Sequence, residues 1–151
     1  DKKGDAKLSG NDRHFVTTAA EDGQAEVELG KLAQQNASNP DVKQFGQRMV
    51  DDHSKANQEL EGIATKLGMS PPKSPSSKQQ SDMKKFSKLT GEKFDREYAD
   101  MMVKDHEKAV SLFEKESKSG DSAELKDFAA KTLPTLQEHL KMARSLSSKK
   151  K

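Results

Sequence analysis

The amino-acid sequence predicts an all-α fold, a four-helix bundle made of two helical hairpins. Three observations predict it. Apolar residues make up only 30% of the 151 residues and charged residues 34%, which supports narrow apolar stripes on helices better than buried sheets. The apolar residues recur at alternating steps of three and four, the spacing of one helix face. A block of eight residues also occurs twice at equivalent helical positions.

The first long helix is predicted to begin after Asn11 or Asp12, either of which is a good N-cap, and to end near Asn36. Asn39 and Pro40 then form a turn signal, with Pro40 suited to the first turn of the next helix. The inward stripe of this helix carries two acidic residues among apolar ones: Phe15, Ala19, Asp22, Glu26, Leu29 and Ala33.

The second long helix places a histidine, His53, in the middle of its inward stripe and ends at Gly68 as a C-cap. Residues 70–77 contain three prolines and four serines, so they are predicted to form the long connection between the hairpins. A short helical piece follows and ends at Gly91. The inward positions of the second helix are Val42, Phe45, Met49, His53, Ala56, Leu60, Ile63 and Leu67, and those of the short piece are Met83, Phe86 and Leu89.

The third long helix is predicted from about Glu92 to Ser119, and the fourth begins after Asp121 or Ser122. Pro134 lies inside the fourth helix, where it is expected to kink or restart the helix. The inward residues are Phe94, Tyr98, Met102, His106, Ala109 and Phe113 in the third helix, and Leu125, Phe128, Thr132, Leu136, His139, Ala143 and Leu146 in the fourth.

These helices define one domain, predicted over residues 11–147, with a disordered tether at residues 1–10 and a frayed basic tail at residues 148–151. The first residue is Asp1, which fits either a removed export signal or a trimmed start. The absence of cysteine excludes disulfides and thiolate ligands. Basic and acidic residues interleave to a net charge of +2, so nucleic acid is not an expected partner. No stretch approaches the length of a membrane-spanning helix.

The internal repeat matches Met49-Val50-x-Asp52-His53-x-Lys55-Ala56 with Met102-Val103-x-Asp105-His106-x-Lys108-Ala109. The first and third long helices also align, with Asp22 over Asp105 and Gly23 in the place of His106. Gly23 is therefore predicted to leave room in the core for an imidazole. Two related hairpins joined by a connection containing proline and serine are the layout of ferritin-like bundles.

The inward histidines and Glu26 form a candidate metal site. Counted from the first hairpin turn near Ser38, Glu26 and His53 differ in level by about 4–5 Å. Counted from the second turn near Gly120, His106 and His139 differ by about 7–8 Å, which makes His139 the weakest member of the set. The candidate ligands are Glu26, His53, His106 and His139, a donor set that suits zinc, iron, manganese or copper.

Asp22, Asp52 and Asp105 are predicted to support these ligands by hydrogen bonding from neighbouring helices. The alternative without a metal is a buried polar layer that fixes the register of the helices. Positions three before the histidines are Val50, Val103 and Leu136, so the Glu-x-x-His pairs of di-iron proteins are missing. The methionines have core spacing and are interpreted as packing residues rather than copper ligands.

Several motifs in order resemble the bacterial domain of unknown function 4142 family: Gly23-x-x-Glu26-Val27-x-Leu29-Gly30, Val42-Lys43-x-Phe45-Gly46, both Met-Val-x-Asp-His blocks, and Leu133-Pro134-x-Leu136-x-x-His139. The resemblance implies a ferritin-like fold and an exported protein of the periplasm or envelope, and it implies no established reaction.

From the residues and this resemblance together we predict a non-enzymatic, extracytoplasmic, stress-related bundle protein that can bind a divalent metal. A ferritin-like metal-dependent oxidoreductase and an interaction module for an envelope protein partner are the alternatives, and the oligomeric state is left open.

Overall fold

The computed structural model describes residues 8–149, and the side chains of residues 148 and 149 are not described. Five helices account for almost all of this part of the chain: α1 (Gly10–Asn36), α2 (Pro40–Lys66), α3 (Ser77–Phe86), α4 (Gly91–Ser119) and α5 (Ala123–Lys149). Helices α1 and α2 form one hairpin and α4 and α5 the other, with α1 against α4 and α2 against α5. The predicted all-α bundle of two hairpins is confirmed. The short helix α3 lies on α1.

Helix α1 begins earlier than the sequence predicted, because the hydroxyl of Ser9 accepts the backbone N–H of Asp12 at 3.0 Å and caps the helix. The prediction of Asn11 or Asp12 as the N-cap is therefore wrong. Leu8, within the predicted tether, is buried, and residues 1–7 of that tether lie outside the described residues. Of the predicted tail, residues 148 and 149 continue α5, and residues 150 and 151 are not described.

Each hairpin turn is held by an aspartate from the other hairpin. The fully buried Asp12 accepts the backbone N–H groups of Asp121 and Ser122, at 3.2 and 2.8 Å, where α5 begins. Asp95 of α4 accepts the backbone N–H of Ser38, the hydroxyl of Ser38 and the backbone N–H of Asn39, at 3.0, 2.7 and 3.0 Å. Asp12 and Asp95 are separated by the same interval that aligns Asp22 with Asp105. The two hairpins therefore fix each other's turns, and with them the levels of their helices.

The structure agrees with the predicted C-cap at Gly68 and disagrees with the predicted restart at Pro134. Gly68 adopts a left-handed conformation with φ 87° after α2, and the N–H of Met69 bonds back to the carbonyl of Ala64 at 2.9 Å, as expected of a glycine C-cap. By contrast, α5 runs without interruption through Pro134, so the predicted restart of the helix is wrong. Loss of one backbone donor at a proline is tolerated in a helix that packs along its whole length.

The apolar core consists of two clusters separated by a polar layer. One cluster is built around Phe15, Phe113 and Phe128, and the other around Phe45 and Phe94. Along every helix of the layer, a histidine separates the residues of one cluster from those of the other: Met49 and Leu60 flank it in α2, Met102 and Phe113 in α4, and Leu136 and Ala143 in α5.

Candidate metal centre

Three buried histidines from three different helices meet in the polar layer of the bundle. His53 lies on α2, His106 on α4 and His139 on α5, and their exposed fractions are 9%, 1% and 0%. The ring centroids are 5.8 Å apart for His53 and His106 and 5.3 Å for each of the other two pairs. One possible ligand nitrogen of each ring lies within 4.8 Å of the other two. The three imidazoles can therefore approach a common centre.

The predicted mismatch in level between His106 and His139 is wrong, for two physical reasons. Residues 120–122 form the turn, so His106 lies 13 residues before the end of α4 and His139 lies 16 residues after the start of α5. The two positions therefore differ by three residues, which is about 4.5 Å along the helix axes. Side chains in helices also tilt toward the N-terminus. The ring of His139 consequently leans toward the turn and that of His106 away from it, which brings the two rings to one level.

In two of the three rings, hydrogen bonds determine which nitrogen carries the proton and which has a free lone pair. His106 Nδ1 lies 2.9 Å from the carbonyl oxygen of Met102, and His139 Nε2 lies 2.8 Å from Asp52 Oδ2. Because a carbonyl and a carboxylate only accept, both of these nitrogens carry the proton and donate. The lone pairs then belong to His106 Nε2 and His139 Nδ1. These two nitrogens and His53 Nε2 are buried and have no hydrogen-bond partner among the described residues.

Burial keeps all three imidazoles neutral at neutral pH. It lowers the pKa of His53 well below the usual value, with the neighbouring His106 and His139 adding to the effect. It lowers the pKa of His106 to about 4, against the opposing effect of the Met102 carbonyl. The pKa of His139 is also lowered by burial, although Asp52 raises it. Neutral imidazole is the form that binds a metal.

Asp52 links the histidine layer to the surface of the bundle. Burial raises the pKa of its carboxyl, but the hydrogen bonds from His139 and Arg48 outweigh burial and leave the pKa lowered. Arg48 Nε lies 2.7 Å from the same oxygen that accepts from His139. Asp52 is therefore an ionised carboxylate that orients the His139 ring from a neighbouring helix, the arrangement known for metal-binding histidines.

Glu26 is not part of the group of histidines that meets within 4.8 Å. It is 5% exposed, its Oε1 has no hydrogen-bond partner among the described residues, and its carboxyl interacts with that of Asp105. Burial, followed by the charges of Asp105 and Asp22, raises the pKa of Glu26 well above its usual value. Burial also raises the pKa of Asp105 to about 6. Glu26, Asp105 and Asp22 form a carboxyl cluster beside the histidine layer.

Asp22 and Gly23 have surroundings that the sequence did not indicate. Asp22 Oδ1 accepts a hydrogen bond from Gln79 Nε2 of α3 at 2.8 Å, and burial raises the pKa of Asp22. A Cβ added at Gly23 would lie 2.0 Å from Asn57 Oδ1. The space at Gly23 is thus filled by Asn57, one helical turn beyond His53, and the prediction that it accommodates an imidazole is wrong.

Two further buried polar groups were not predicted from the sequence. The hydroxyl of Tyr98 is buried without a hydrogen-bond partner in the described structure, and burial, with the charges of Glu26 and Asp105, raises its pKa well above the usual value. Glu116 is 5% exposed next to Asp12. Core spacing identified Tyr98 only as an apolar packing residue. Glu116 lies three residues after Phe113, so the same spacing could have placed it inward, but the predicted stripe stopped at Phe113.

The fold and the site define a helical-bundle protein with an internal layer of three imidazoles. The chain belongs to the DUF4142 family, a domain of unknown function whose model matches residues 1–146. No curated protein matches it. None of the helices in the described part of the chain is both long and apolar enough to cross a membrane.

Solved structures of similar fold come from a second domain of unknown function and from a copper-bound protein. A DUF305 fragment from Deinococcus radiodurans has a TM-score of 0.81 and 13% identity, covering 94% of this chain and 98% of that one. A DUF305 protein from Streptomyces coelicolor, provisionally described as secreted, has a TM-score of 0.77 and 15% identity, covering 93% and 92%. CopM in its Cu(I)-bound form has a TM-score of 0.76 and 16% identity, covering 90% and 94%.

Proposed function

We propose that the protein is a non-enzymatic metal-binding protein that holds one transition-metal ion between its helices through His53, His106 and His139. The observation that carries this proposal is the convergence of three buried imidazoles, each with a nitrogen that lacks a hydrogen-bond partner among the described residues. A buried polar group left without a partner costs about 1–3 kcal/mol. Three such groups facing one another are better explained by a ligand than by packing.

The geometry suits a metal after a small contraction. Three imidazole nitrogens on a metal at about 2.0–2.1 Å are about 3.5 Å from one another. One nitrogen of each ring lies within 4.8 Å of a nitrogen of each other ring, so shifts of about 1 Å bring three imidazoles to metal-binding distance. The hydrogen bonds of His106 and His139 already point the protonated nitrogens away, which leaves the lone pairs free.

The donor set favours copper or zinc among the metals predicted from the sequence. Imidazole nitrogens suit zinc and copper, whereas manganese prefers oxygen ligands. Asp52, the carboxylate hydrogen-bonded to the set, is already paired with Arg48, so it adds no uncompensated charge to the three neutral imidazoles. A neutral set of three imidazoles is compatible with both Cu(I) and Zn²⁺, and both ions are therefore candidates. The existence of a protein of similar fold in a Cu(I)-bound form supports testing copper first.

An extracytoplasmic location completes the proposal. The family resemblance and the secreted description of the Streptomyces coelicolor neighbour support it, and a chain without cysteine is compatible with an oxidising compartment. Fractionation of the source bacterium, with antibody detection of the protein, tests this part. Recovery in the cytoplasmic fraction alone would contradict it.

The binding experiment compares two histidine variants. Wild type, the His53→Ala/His106→Ala double variant and the His14→Ala variant are titrated with Cu(I) held by a competing chelator and, separately, with Zn²⁺. His14 is exposed near the start of α1 and serves as the matched control. We expect one equivalent of metal on wild type and on His14→Ala, and a loss of at least 100-fold in affinity in the double variant. Equally weak binding by all three proteins would refute the proposal.

A further inference from the structure

A cavity of about 320 Å³ connects the histidine layer to the surface beneath α3. Its wall includes His53 and His106 at the inner end and Lys78 and Asp82, on α3, at the outer end. The side chains of Lys78 and Asp82 are 86% and 38% exposed, whereas His106 is 1% exposed. The cavity thus spans the distance from solvent to two of the three imidazoles.

Carboxyl groups line this cavity at successive depths. Asp82 is at the mouth, where Lys78 pairs with it at 3.5 Å. Asp22 and Asp105 are half-buried, and Glu26 is buried. Apart from Glu26, whose pKa burial raises well above the usual value, the wall holds four acidic residues, Glu21, Asp22, Asp82 and Asp105, against the two lysines Lys78 and Lys108. The buried Oε1 of Glu26 has no hydrogen-bond partner in the part of the chain that is described. The wall is therefore net acidic, and its innermost carboxyl has an oxygen available to a ligand.

We infer that this cavity is the path by which a metal cation reaches the three histidines, with Asp22, Asp105 and Glu26 as its successive transient ligands. The inference rests on the proposed function. Acidic walls in a cleft concentrate cations and raise association rates by about 10–10³. Oxygen ligands hold copper and zinc less firmly than imidazole nitrogen does, so an ion passes inward from the carboxylates to the histidines.

A second cavity, of about 260 Å³, reaches His53 and His139 between α2 and α5, but its acids are already paired. Asp52 is engaged by Arg48 and His139. Glu59 forms an ion pair with Lys131. Lys55 also lines this cavity, so its two carboxylates face two lysines. This opening offers no net charge to attract a cation, which favours the path under α3.

The test measures the rate and the equilibrium of Zn²⁺ loading separately. The Asp22→Asn/Asp105→Asn variant, the Glu59→Gln control from the second cavity and wild type are mixed with Zn²⁺ in a stopped-flow instrument, and loading is followed by competition with a chromogenic chelator. Because the path serves both entry and exit, we expect the loading and release rates of the double variant to fall together by about 10-fold at low ionic strength, so that its Kd changes less than threefold. The control should load like wild type. Added salt should slow wild type more than the double variant.

Each of the following outcomes would refute the inferred path. Equal rates for wild type and the double variant would show that these carboxylates do not guide the ion. A loss of affinity as large as the loss of rate would make them permanent ligands instead. Failure of wild type to bind Zn²⁺ and Cu(I) at all would refute the proposed function and the path with it. Asp82→Asn, at the mouth of the cavity, removes a partly exposed charge paired with Lys78 and should slow loading about 2-fold, which keeps the test decisive if the double variant folds poorly.

Discussion

Substitution of Glu116 by glutamine should make the protein more stable at high pH and leave its stability at low pH almost unchanged. Glu116 is 5% exposed and lies against Asp12, the residue that accepts two backbone N–H groups of the turn before α5. Burial, followed by the hydrogen bond to Asp12 and the charges of Asp12 and Asp121, raises the pKa of Glu116 from 4.5 to about 8. Protonated Glu116 therefore donates a hydrogen bond to Asp12, and glutamine keeps a donor at that position without a titrating group.

The sign and the size follow from this raised pKa. Because the folded protein binds the proton more tightly than the unfolded chain, its stabilising effect is complete below pH 4.5 and is lost as the pH rises to about 8. The full shift corresponds to about 5 kcal/mol. Relaxation of the protein and penetration of water around the ionised carboxylate reduce this figure, so we expect a loss of about 2 kcal/mol.

The assay is urea unfolding of metal-free protein at pH 5 and pH 9. Wild type should lose about 2 kcal/mol of unfolding free energy relative to Glu116→Gln between the two pH values. Glu114→Gln, an exposed change on the same helix, is the control and should follow wild type. A difference between Glu116→Gln and wild type that is the same at both pH values would refute the reasoning.

Two further substitutions test the support of the histidine layer and the packing of the first hairpin. Asp52→Asn removes the charge that orients His139 and should weaken Cu(I) binding about 10–100-fold in a chelator competition, whereas Glu138→Gln, which removes the other carboxylate near Arg48, should not. Gly30→Ala places a Cβ 2.6 Å from a backbone carbonyl of α2 and should cost about 1–3 kcal/mol in urea unfolding, while Gly62→Ala meets nothing within 4 Å and should cost no stability. Equal effects within either pair would contradict the structural explanation.

The sequence predicted the helices and their inward faces well because one physical rule sets both. Apolar spacing alone placed Met49, Met102 and Leu136 in the core, and all are at most 3% exposed. The same spacing placed His53 and His106 inward. It could not show that His139 joins them, because the level of one helix against another depends on the turns and on side-chain tilt.

The polar partners were harder to predict because they depend on contacts between distant segments. Asp12 has the sequence context of an N-cap for its own helix, yet it accepts the backbone N–H groups of Asp121 and Ser122 in the turn before α5. Glu26 is at the level of His53 by residue count, but its carboxyl turns to Asp105. Sequence spacing fixes the face of a helix on which a residue lies, and the choice among several nearby partners is made by rotamers and by the packing of neighbouring helices.

The central claim is that three imidazoles bind the metal, and X-ray absorption of protein loaded with one equivalent of Cu(I) tests it most directly. The structure predicts three nitrogen scatterers at about 2.0 Å with the outer-shell pattern of imidazole and no sulfur in the first shell. A shell of sulfur would assign the metal to the methionines, and a shell of oxygen alone would assign it to the carboxyl cluster. Either result would contradict a centre built from His53, His106 and His139.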